Sequence, residues 1–314
     1  MSYFVDMFRD KINKLLLDKS CYRIRSTPPI KYTYRDDVRI LSQVHHDALD
    51  MYLVAIKSFL YNFTIGSVYV LNDGSLTDSD IELLKHHVPG ITVHHINEVE
   101  CAGFPVGNTW ERLLYYVDLS QDAYVIQLDS DIISLKPMMD LHQAIREERG
   151  FIIGNGPAWE KAIDVNYLSS LIHNWTSNSS SGHVQIASEA VFHLMTAFKQ
   201  STDYFCGCSA FTGLPRAQIN RQMLLDFSLQ VIAEIGIKKW NEWGSEQVAC
   251  SVMISKTKNP GILPWLCYQN HGFPSLYKSN IDTASLIHFI GTYRNYDSSY
   301  RRLASQFIKE QSGS

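Results

Sequence analysis

Two aspartates stand where a buried strand of this 314-residue chain is predicted to end. Asp129 and Asp131 flank Ser130, and they follow directly on the apolar run AYVIQL at 123–128. Carboxylate oxygens at the end of a strand can share one hard divalent cation, and Mg²⁺ and Mn²⁺ both accept oxygen ligands. Such a cation neutralises the negative charge that develops on a diphosphate leaving group. The pattern therefore predicts a metal site at the two aspartates, and the alternative is an ordinary solvated turn.

The elements that position this pair alternate between strands and helices. In the first half of the chain, strands are predicted at 38–44, 67–75, 91–96 and 123–128, and helices at 48–62, 77–87 and 109–119. In the second half, a strand is predicted at 204–214 and helices at 189–200, 216–236 and 246–255. This alternation is typical of an α/β fold with a mostly parallel sheet flanked by helices. Ligands of such sheets bind beyond the carboxyl ends of the strands, which is where the aspartate pair is placed.

Charge and glycine content argue against three classes of protein. Lys and Arg number 28 against 32 Asp and Glu, giving a net charge of −4. A dedicated nucleic-acid-binding protein usually carries a basic excess, so we expect no nucleic-acid partner. The segment 40–52, which contains the end of the first predicted strand and the residues after it, has no glycine. Sugar-phosphate nucleotidyltransferases and dinucleotide-dependent oxidoreductases carry a glycine-rich phosphate loop near this place, so both classes are disfavoured.

A D-x-D triplet after an apolar strand resembles the metal motif of glycosyltransferases with the GT-A fold. Near the carboxyl end, His288, Gly291 and Arg294 are spaced H-x-x-G-x-x-R. This spacing is similar to the H-x-x-G-x-x-K motif of the retaining glycogenin-like and bacterial galactosyltransferase-like (family-8-like) enzymes. The resemblance implies that His288 completes the metal shell. It also implies that Arg294 pairs with the donor diphosphate in place of the Lys, since a guanidinium grips phosphate bidentately. Without the resemblance, a histidine on an apolar run is more often a core residue.

Other candidate residues depend on the same resemblance. Glu246 and Gln247 head a predicted helix and resemble the acidic D-Q pair of that family, with Glu in place of Asp. The resemblance implies that they lie near the anomeric carbon and the acceptor, and the alternative is a helix cap. Asp73 is similar to the aspartate of inverting GT-A enzymes that contacts the nucleotide base, with a plain turn as the alternative. Arg112, on the helix before D-x-D, is a candidate contact for donor phosphate or sugar, with a surface salt bridge as the alternative.

The resemblance implies a GT-A type, Rossmann-like α/β domain and a metal-dependent transferase. The donor would be a nucleotide-diphosphate sugar, most commonly a UDP-sugar, and the metal Mn²⁺ or Mg²⁺. Ser130 and Gly291 are further candidate donor contacts, and the acceptor would be a hydroxyl of a glycan or a lipid-linked sugar. The H-x-x-G-x-x-R resemblance favours retention, which needs no strong base in the protein; inversion is the alternative and makes Glu246 or Glu242 the candidate general base. A sugar-phosphate nucleotidyltransferase and a non-catalytic binding protein remain the alternatives.

The N-terminal segment predicts an amphipathic helix, because its apolar residues follow helical spacing. They are Phe4, Met7, Phe8, Ile12, Leu15 and Leu16. Residues 1–25 carry six Lys or Arg against three Asp, which suits peripheral contact with an anionic membrane; packing on the main domain is the alternative. Charges interrupt the segment where a signal peptide would be apolar, so we expect a cytoplasmic location. The predicted divisions are a helical extension at 1–30, a GT-A domain at 36–300 and a tail at 301–314.

Overall fold

The computed structural model describes residues 2–175, 182–272, 279–295 and 297–313. Within them, the protein is a mixed α/β structure whose central sheet is mostly parallel and flanked by helices, which confirms the predicted fold class. The chain divides into two compact units. The first unit contains residues 1–95, 128–139 and 265–314, and the second contains residues 96–127 and 140–264.

The elements are numbered in chain order. The helices are α1 Ser2–Tyr22, α2 Leu49–Phe63, α3 Asp78–His87, α4 Trp110–Leu119, α5 Met139–Arg146, α6 Val165–Trp175, α7 Val184–Glu189, α8 Arg221–Ile235, α9 Ile237–Trp240, α10 Ser245–Ser255 and α11 Ser299–Ser312. The strands are β1 Thr33–Val44, β2 Ile65–Asn72, β3 Thr92–His95, β4 Tyr124–Leu128, β5 Ile132–Ser134, β6 Phe151–Gly154, β7 Ile163–Asp164, β8 Asp203–Tyr204, β9 Gly207–Leu214, β10 Gly261–Leu263, β11 Tyr268–His271 and β12 Leu286–Phe289.

Strands β1, β2 and β3 of the first unit run parallel, so their carboxyl ends meet at one edge. Val44 pairs with Asn72, and Asn72 pairs with His95. The strand β1 begins at Thr33, five residues before the predicted start, because Thr33 and the next residue already pair with β2 ahead of an irregular stretch. Helix α3 begins with a capping box formed by Thr77 and Asp80. Three strand ends on one edge provide the kind of crevice that parallel sheets use for ligands.

A second, three-stranded sheet of the first unit contains β11, β12 and β5 in that order. Strand β12 pairs in parallel with β11 and antiparallel with β5. The register places His288 opposite Asn270 on one side and opposite Ile132 on the other. Strand β5 is fixed to α2, because the backbone N–H of Ser134 donates to the Ser58 hydroxyl at 3.1 Å. This small sheet therefore joins the segment after β4 to the C-terminal part of the chain.

In the second unit, strands lie side by side in the order β10, β6, β9, β4. Strand β6 pairs in parallel with β10 and antiparallel with β9. The strands β6 and β9 approach so closely that a Cβ atom on Gly207 would lie 2.5 Å from the carbonyl oxygen of Ile153. Gly207 is therefore required by packing, since no other residue leaves this space.

One predicted helix of the second unit is wrong. Residues 189–200 were expected to be helical, but α7 ends at Glu189 and two short 3₁₀ turns follow, at 192–194 and 196–198. The turns bring aromatic rings together: the Phe192 centroid lies 5.0 Å from that of Phe198 and 5.0 Å from that of Tyr204. Burial of this aromatic cluster outweighs the helical spacing on which the prediction depended.

Helix α1 is amphipathic, but its buried face differs from the predicted stripe. Leu17 and Cys21 are buried, whereas Leu15 is 68 % exposed and Ile12 and Leu16 are 40 % exposed. The side chains of the other predicted members, Phe4, Met7 and Phe8, lie outside the described residues. No helix in the described ranges combines the length and the apolar character needed to cross a membrane. The three predicted divisions of the chain stay a prediction, although α11 covers most of the predicted tail.

Candidate active site

The aspartate pair lies between the end of β4 and the start of β5. Strand β4 ends at Leu128, whose carbonyl accepts a hydrogen bond from the Ser42 hydroxyl at 2.6 Å. Strand β5 begins one residue after Asp131, and the Asp131 carbonyl accepts from the backbone N–H of Phe289 at 3.0 Å. The backbone on both sides of Asp129 and Asp131 is therefore fixed by the sheets. The D-x-D triplet lies at the end of a buried strand, as its sequence predicts.

His288 lies beside this pair because of the register of β12. The His288 side chain is buried, and its Nε2 atom lies 3.3 Å from Oδ1 of Asp131. Its Nδ1 atom lies 2.7 Å from the side-chain oxygen of Asn270 on β11. Since that oxygen only accepts, Nδ1 carries the proton of the neutral imidazole, and in this form Nε2 presents a lone pair. Metal-ligating histidines are commonly held in this way, with the outer ring nitrogen donating to a carbonyl or a carboxylate.

The three side chains can hold one cation. Ligand atoms from Asp129, Asp131 and His288 all lie within 4.8 Å of one another. Oδ1 of Asp131 is buried and has no hydrogen-bond partner among the described residues, although a histidine lone pair faces it at 3.3 Å. Two acceptor atoms facing each other in a buried place are costly unless a cation or proton lies between them. Two carboxylates and one neutral imidazole fit Mn²⁺ or Mg²⁺.

Arg294 joins the same group through a short turn. Gly291 adopts a left-handed conformation, with φ of +49°, and begins the 3₁₀ turn at 291–295. The turn brings Nη1 of Arg294 to 3.2 Å from Oδ2 of Asp131. Burial alone would raise the pKa of the Asp131 carboxyl, but without a metal ion a protonated His288 and the Arg294 guanidinium hold that pKa below its ordinary value. Asp131 is therefore a carboxylate at neutral pH, as a metal ligand must be.

Two further predicted donor contacts lie in the first unit. Ser130 is half-buried between the two aspartates. Asp73 is exposed, and its Oδ1 atom accepts from the backbone N–H of Ser75 at 2.9 Å and from the Ser75 hydroxyl at 2.6 Å. Asp73 thus forms the turn that was the alternative interpretation. Its contact with a nucleotide base stays a prediction.

A cavity of about 220 Å³ lies beside Arg294 in the first unit. Its wall combines the residues after β1, the start of α2, the turn of Arg294 and one face of α1. The polar lining residues are Lys14, Asp18, His45, Asp47, Asp50, Arg294 and Asn295. Sequence reasoning did not indicate that the N-terminal helix would form part of this cavity.

In the second unit, Arg112 and Glu246 form a buried pair. Nη2 of Arg112 lies 3.3 Å from Oε1 of Glu246, and the two side chains are 6 % and 5 % exposed. The other carboxylate oxygen, Oε2, accepts from the Ser209 hydroxyl at 3.2 Å. A surface salt bridge was the alternative interpretation of Arg112, and its burial shows that this alternative is wrong. Glu242, the other candidate base, is exposed and pairs with Lys239 at 2.9 Å.

Gln247 belongs to a chain of hydrogen bonds that sequence reasoning missed. Its Nε2 atom donates to Oε1 of Gln185 at 3.2 Å, and Nε2 of Gln185 donates to Oε1 of Glu189 at 2.8 Å. The Tyr204 hydroxyl and the Cys206 thiol also donate to that oxygen, at 3.1 Å and 3.6 Å. The one available signal was the i, i+4 spacing of Gln185 and Glu189, which the segment shares with many solvated helices.

No family model matches the sequence, and no curated protein matches it. The fold is similar to that of solved glycosyltransferases. The apo structure of the bifunctional glycosyltransferase WbbM superposes with a TM-score of 0.54 at 11 % identity, over 91 % of this chain and 53 % of WbbM. The chain thus spans about half the length of that protein. The galactosyltransferase LgtC, in complex with donor and acceptor sugar analogues, superposes with a TM-score of 0.53 at 10 % identity, over 88 % of this chain and 95 % of LgtC. At these identities, the likeness shows a shared GT-A-type fold.

Proposed function

We propose that this chain is a metal-dependent glycosyltransferase that moves a sugar from a nucleotide-diphosphate sugar, a UDP-sugar in the first instance, to a hydroxyl of a glycan or a lipid-linked sugar. One observation carries the proposal. The buried acceptor atoms Oδ1 of Asp131 and Nε2 of His288 face each other at 3.3 Å, with Asp129 beside them. A divalent cation satisfies all three side chains at once. The solved structures with the same fold include a galactosyltransferase bound to sugar analogues.

The residues of the first unit fit the departure of a diphosphate. When bound, the cation would supply positive charge to the two phosphates of the donor. Arg294 adds a fixed guanidinium next to the metal ligands, where it stabilises the charge that grows on the leaving group. The adjacent cavity of about 220 Å³ offers polar side chains to the nucleoside of the donor. Ser130 and Gly291 stay candidate contacts within this arrangement.

The residues of the second unit favour retention of configuration. Both oxygens of Glu246 already accept hydrogen bonds, from Arg112 and from Ser209. A carboxylate in that state is a poor general base, which inversion requires. Gln247 heads the same helix as Glu246 and presents an uncharged amide to the sugar, which suits a transition state with oxocarbenium character. Trp243 is 71 % exposed just before this helix and offers a flat ring to an acceptor sugar.

A thermal-shift panel tests the proposal first. The purified chain is heated with UDP- and GDP-sugars, with and without Mn²⁺. A ligand at 100 times its dissociation constant adds about 2.7 kcal/mol to the free energy of unfolding. We expect a shift that requires both Mn²⁺ and one nucleotide sugar, followed by nucleotide release in a transfer assay. NMR of the product then distinguishes retention from inversion. A folded protein that responds to no donor in the presence of Mn²⁺ would contradict the proposal and favour a non-catalytic binding protein.

We further propose that the enzyme acts at the cytoplasmic face of an anionic membrane. Helices α1 and α11 border a groove of about 470 Å³ that contains four cationic residues, Lys19, Arg23, Arg301 and Arg302. Among the side chains that the structure describes, none of the four has a carboxylate partner. The exposed Leu15 lies on the same helix as Lys19. Unpaired cations beside exposed apolar residues suit an anionic lipid surface, which contributes about 1 kcal/mol per Lys or Arg.

Charge reversal tests this membrane contact. We expect the wild type to sediment with phosphatidylglycerol vesicles at low salt and to remain in solution with phosphatidylcholine vesicles. Replacing the four groove cations by Glu should abolish sedimentation, since each contributes about 1 kcal/mol. The matched control replaces four exposed lysines of the second unit by Glu, namely Lys161, Lys199, Lys238 and Lys258. Equal loss of binding in both variants would show a general charge effect and would overturn the assignment of the groove.

A further inference from the structure

Glu189 is a buried glutamate for which the proposed reaction has no direct use. Its side chain is 5 % exposed, and one carboxylate oxygen, Oε1, accepts from three donors. They belong to Gln185, Tyr204 and Cys206. Burial of a carboxylate is unfavourable unless hydrogen bonds compensate for the lost water. Three donors on a single oxygen therefore indicate that a charged acceptor is accommodated at this place.

The hydrogen bonds that link Glu189, Gln185 and Gln247 have a fixed direction. An ionised carboxylate only accepts, so the amide of Gln185 must turn its NH₂ group toward Glu189. The oxygen of Gln185 then faces away from Glu189 and accepts from the NH₂ group of Gln247 at 3.2 Å. As a result, the NH₂ group of Gln247 is engaged by Gln185. Reversing the first amide would place two NH₂ groups or two oxygens in contact along the chain.

We propose that Glu189 is a positioning residue for the glycosyl transfer, because its carboxylate fixes the orientation of the Gln247 amide through Gln185. The inference deepens the proposed function and rests on it for the role of Gln247. Glu189 contacts no reacting group itself. It determines which atom of Gln247 is available to the sugar, and the amide oxygen is the atom left available when the carboxylate is charged.

Protonation of Glu189 offers a way to observe this control. Burial raises the pKa of the Glu189 carboxyl to about 7, against the hydrogen bonds from its three donors. The titratable groups that contact it are the Tyr204 phenol and the Cys206 thiol, whose own pKa values burial raises well above the ordinary range. From helix α10, the Ser251 hydroxyl forms a hydrogen bond with Tyr204. Among the described residues, no charged side chain shifts the pKa of the Glu189 carboxyl. The charge at this place therefore changes near neutral pH through Glu189 alone.

The direct test follows the Gln247 side-chain amide by ¹⁵N NMR between pH 5.5 and 8.5, with no ligand added. Its resonance is assigned from its absence in Gln247→Glu. We expect the wild-type signal to move with a midpoint near pH 7, because the pKa of the Glu189 carboxyl is raised to about that value. The movement should disappear in Glu189→Gln, which keeps the shape but not the charge. It should also disappear in Gln185→Met, which keeps Glu189 and interrupts the chain. A pH-dependent shift that survives in Gln185→Met would overturn the proposal.

The kinetic test uses release of UDP from UDP-galactose and UDP-glucose. At pH 8.5 we expect Glu189→Gln to lower kcat about tenfold with KM little changed, and the difference from wild type should vanish below pH 6. In the Gln185→Met background, Glu189→Gln should have no further effect. The control is Tyr204→Phe, which removes a hydrogen-bond donor to the Glu189 carboxylate but leaves the series Gln247–Gln185–Glu189 intact. This variant should keep kcat within about twofold of the wild type. If the losses in kcat from Glu189→Gln and Gln185→Met were additive and paralleled the decrease in melting temperature, the role of Glu189 would be merely structural and the proposal would be wrong.

The two tests separate failure of the inference from failure of the proposed function. If the wild type releases no UDP from either sugar, the proposed function fails with these donors, whereas the NMR titration still decides whether Glu189 orients Gln247. If the wild type is active and the pH-dependent shift of the Gln247 signal is unchanged in both Glu189→Gln and Gln185→Met, the proposed function stands and the positioning role is wrong.

Discussion

The side-chain oxygen of Asn270 lies 2.7 Å from Nδ1 of His288 and fixes the tautomer of that imidazole. Both residues belong to neighbouring strands and are paired in register, so the contact is built into the sheet. The consequence is a lone pair on Nε2, directed at Oδ1 of Asp131 at 3.3 Å. The geometry of the candidate metal centre thus depends on a residue that is no ligand itself.

Removing this support should weaken metal binding. We expect Asn270→Ala to raise the dissociation constant of Mn²⁺ by about 10- to 100-fold, the usual cost of losing the outer partner of a ligating histidine. Asn270→Asp should keep the affinity, because a carboxylate accepts the same proton from Nδ1. Isothermal titration calorimetry with MnCl₂ measures both. An unchanged affinity in Asn270→Ala would show that His288 does not bind the metal.

Asp131→Asn should abolish the stabilisation that Mn²⁺ confers. The amide removes a negative ligand oxygen from a buried place, and a hard divalent cation needs that charge. The measurement is the melting temperature with and without 1 mM MnCl₂, compared with Asp140→Asn, which changes an exposed carboxylate at the start of α5. The control should respond to Mn²⁺ as the wild type does. A metal response that persists in Asp131→Asn, with the fold intact, would exclude the proposed site.

Arg294 should act on metal binding and on transfer in opposite directions. It lies 3.2 Å from a ligand carboxylate, so its positive charge opposes a cation at the same place. We expect Arg294→Met to bind Mn²⁺ more tightly than the wild type and yet to lose roughly 100-fold in kcat, because the leaving diphosphate loses a fixed positive charge. Arg294→Lys should recover part of the rate. Parallel loss of both properties would indicate that Arg294 serves only to hold Asp131.

Breaking the buried pair of Arg112 and Glu246 should lower the free energy of unfolding of the protein. Arg112→Met leaves the carboxylate without its cation, and breaking a buried pair in this way costs about 3–5 kcal/mol. The double variant Arg112→Met with Glu246→Gln should regain a large part of that loss, since neither charge then remains. Urea unfolding of the two single variants and the double variant measures the coupling. Strictly additive losses would mean that the pair does not interact in solution.

Glu189 should make the stability of the protein fall as pH rises. Its pKa in the folded protein is raised to about 7 from an ordinary value of 4.5, so the folded state binds more protons than the unfolded state between these values. The free energy of unfolding therefore decreases across that window and is flat with respect to this group above pH 7. We expect the melting temperature of Glu189→Gln, relative to the wild type, to increase from pH 5 to pH 7.5. A constant difference would indicate an ordinary carboxyl.

The grouping of Asp129, Asp131 and His288 could be expected from the sequence because these residues carry recognisable signals. Asp129 and Asp131 follow an apolar strand, and His288 lies in a motif with Arg294 whose spacing resembles that of a known family. Asn270 has no such signal, because its importance comes from strand pairing with a residue 18 positions away. The strand that carries it, Tyr268–His271, was not among the predicted strands.

The second unit shows why pattern reasoning fails for buried polar groups. The spacing of Gln185 and Glu189 fits an exposed helix face, yet Glu189 is buried and Gln185 is half-buried, because β8 and the residue after it place Tyr204 and Cys206 against them. The predicted helix at 189–200 failed for a related reason, since packing of Phe192 ended it early. Partners in three dimensions determined both outcomes, and one sequence does not show them.

The packing of α1 has a practical meaning for anyone who produces this protein. The side-chain amide of Asn13 donates to the carbonyl of Asn295 at 2.9 Å, and Asn295 directly follows Arg294. Leu17 is buried on the same helix. The first helix is thus part of the scaffold of the turn that carries the guanidinium. An affinity tag or fusion partner placed ahead of this helix is therefore attached to an element that supports Arg294. A truncated protein that lacks the helix would lose this support for the Arg294 turn.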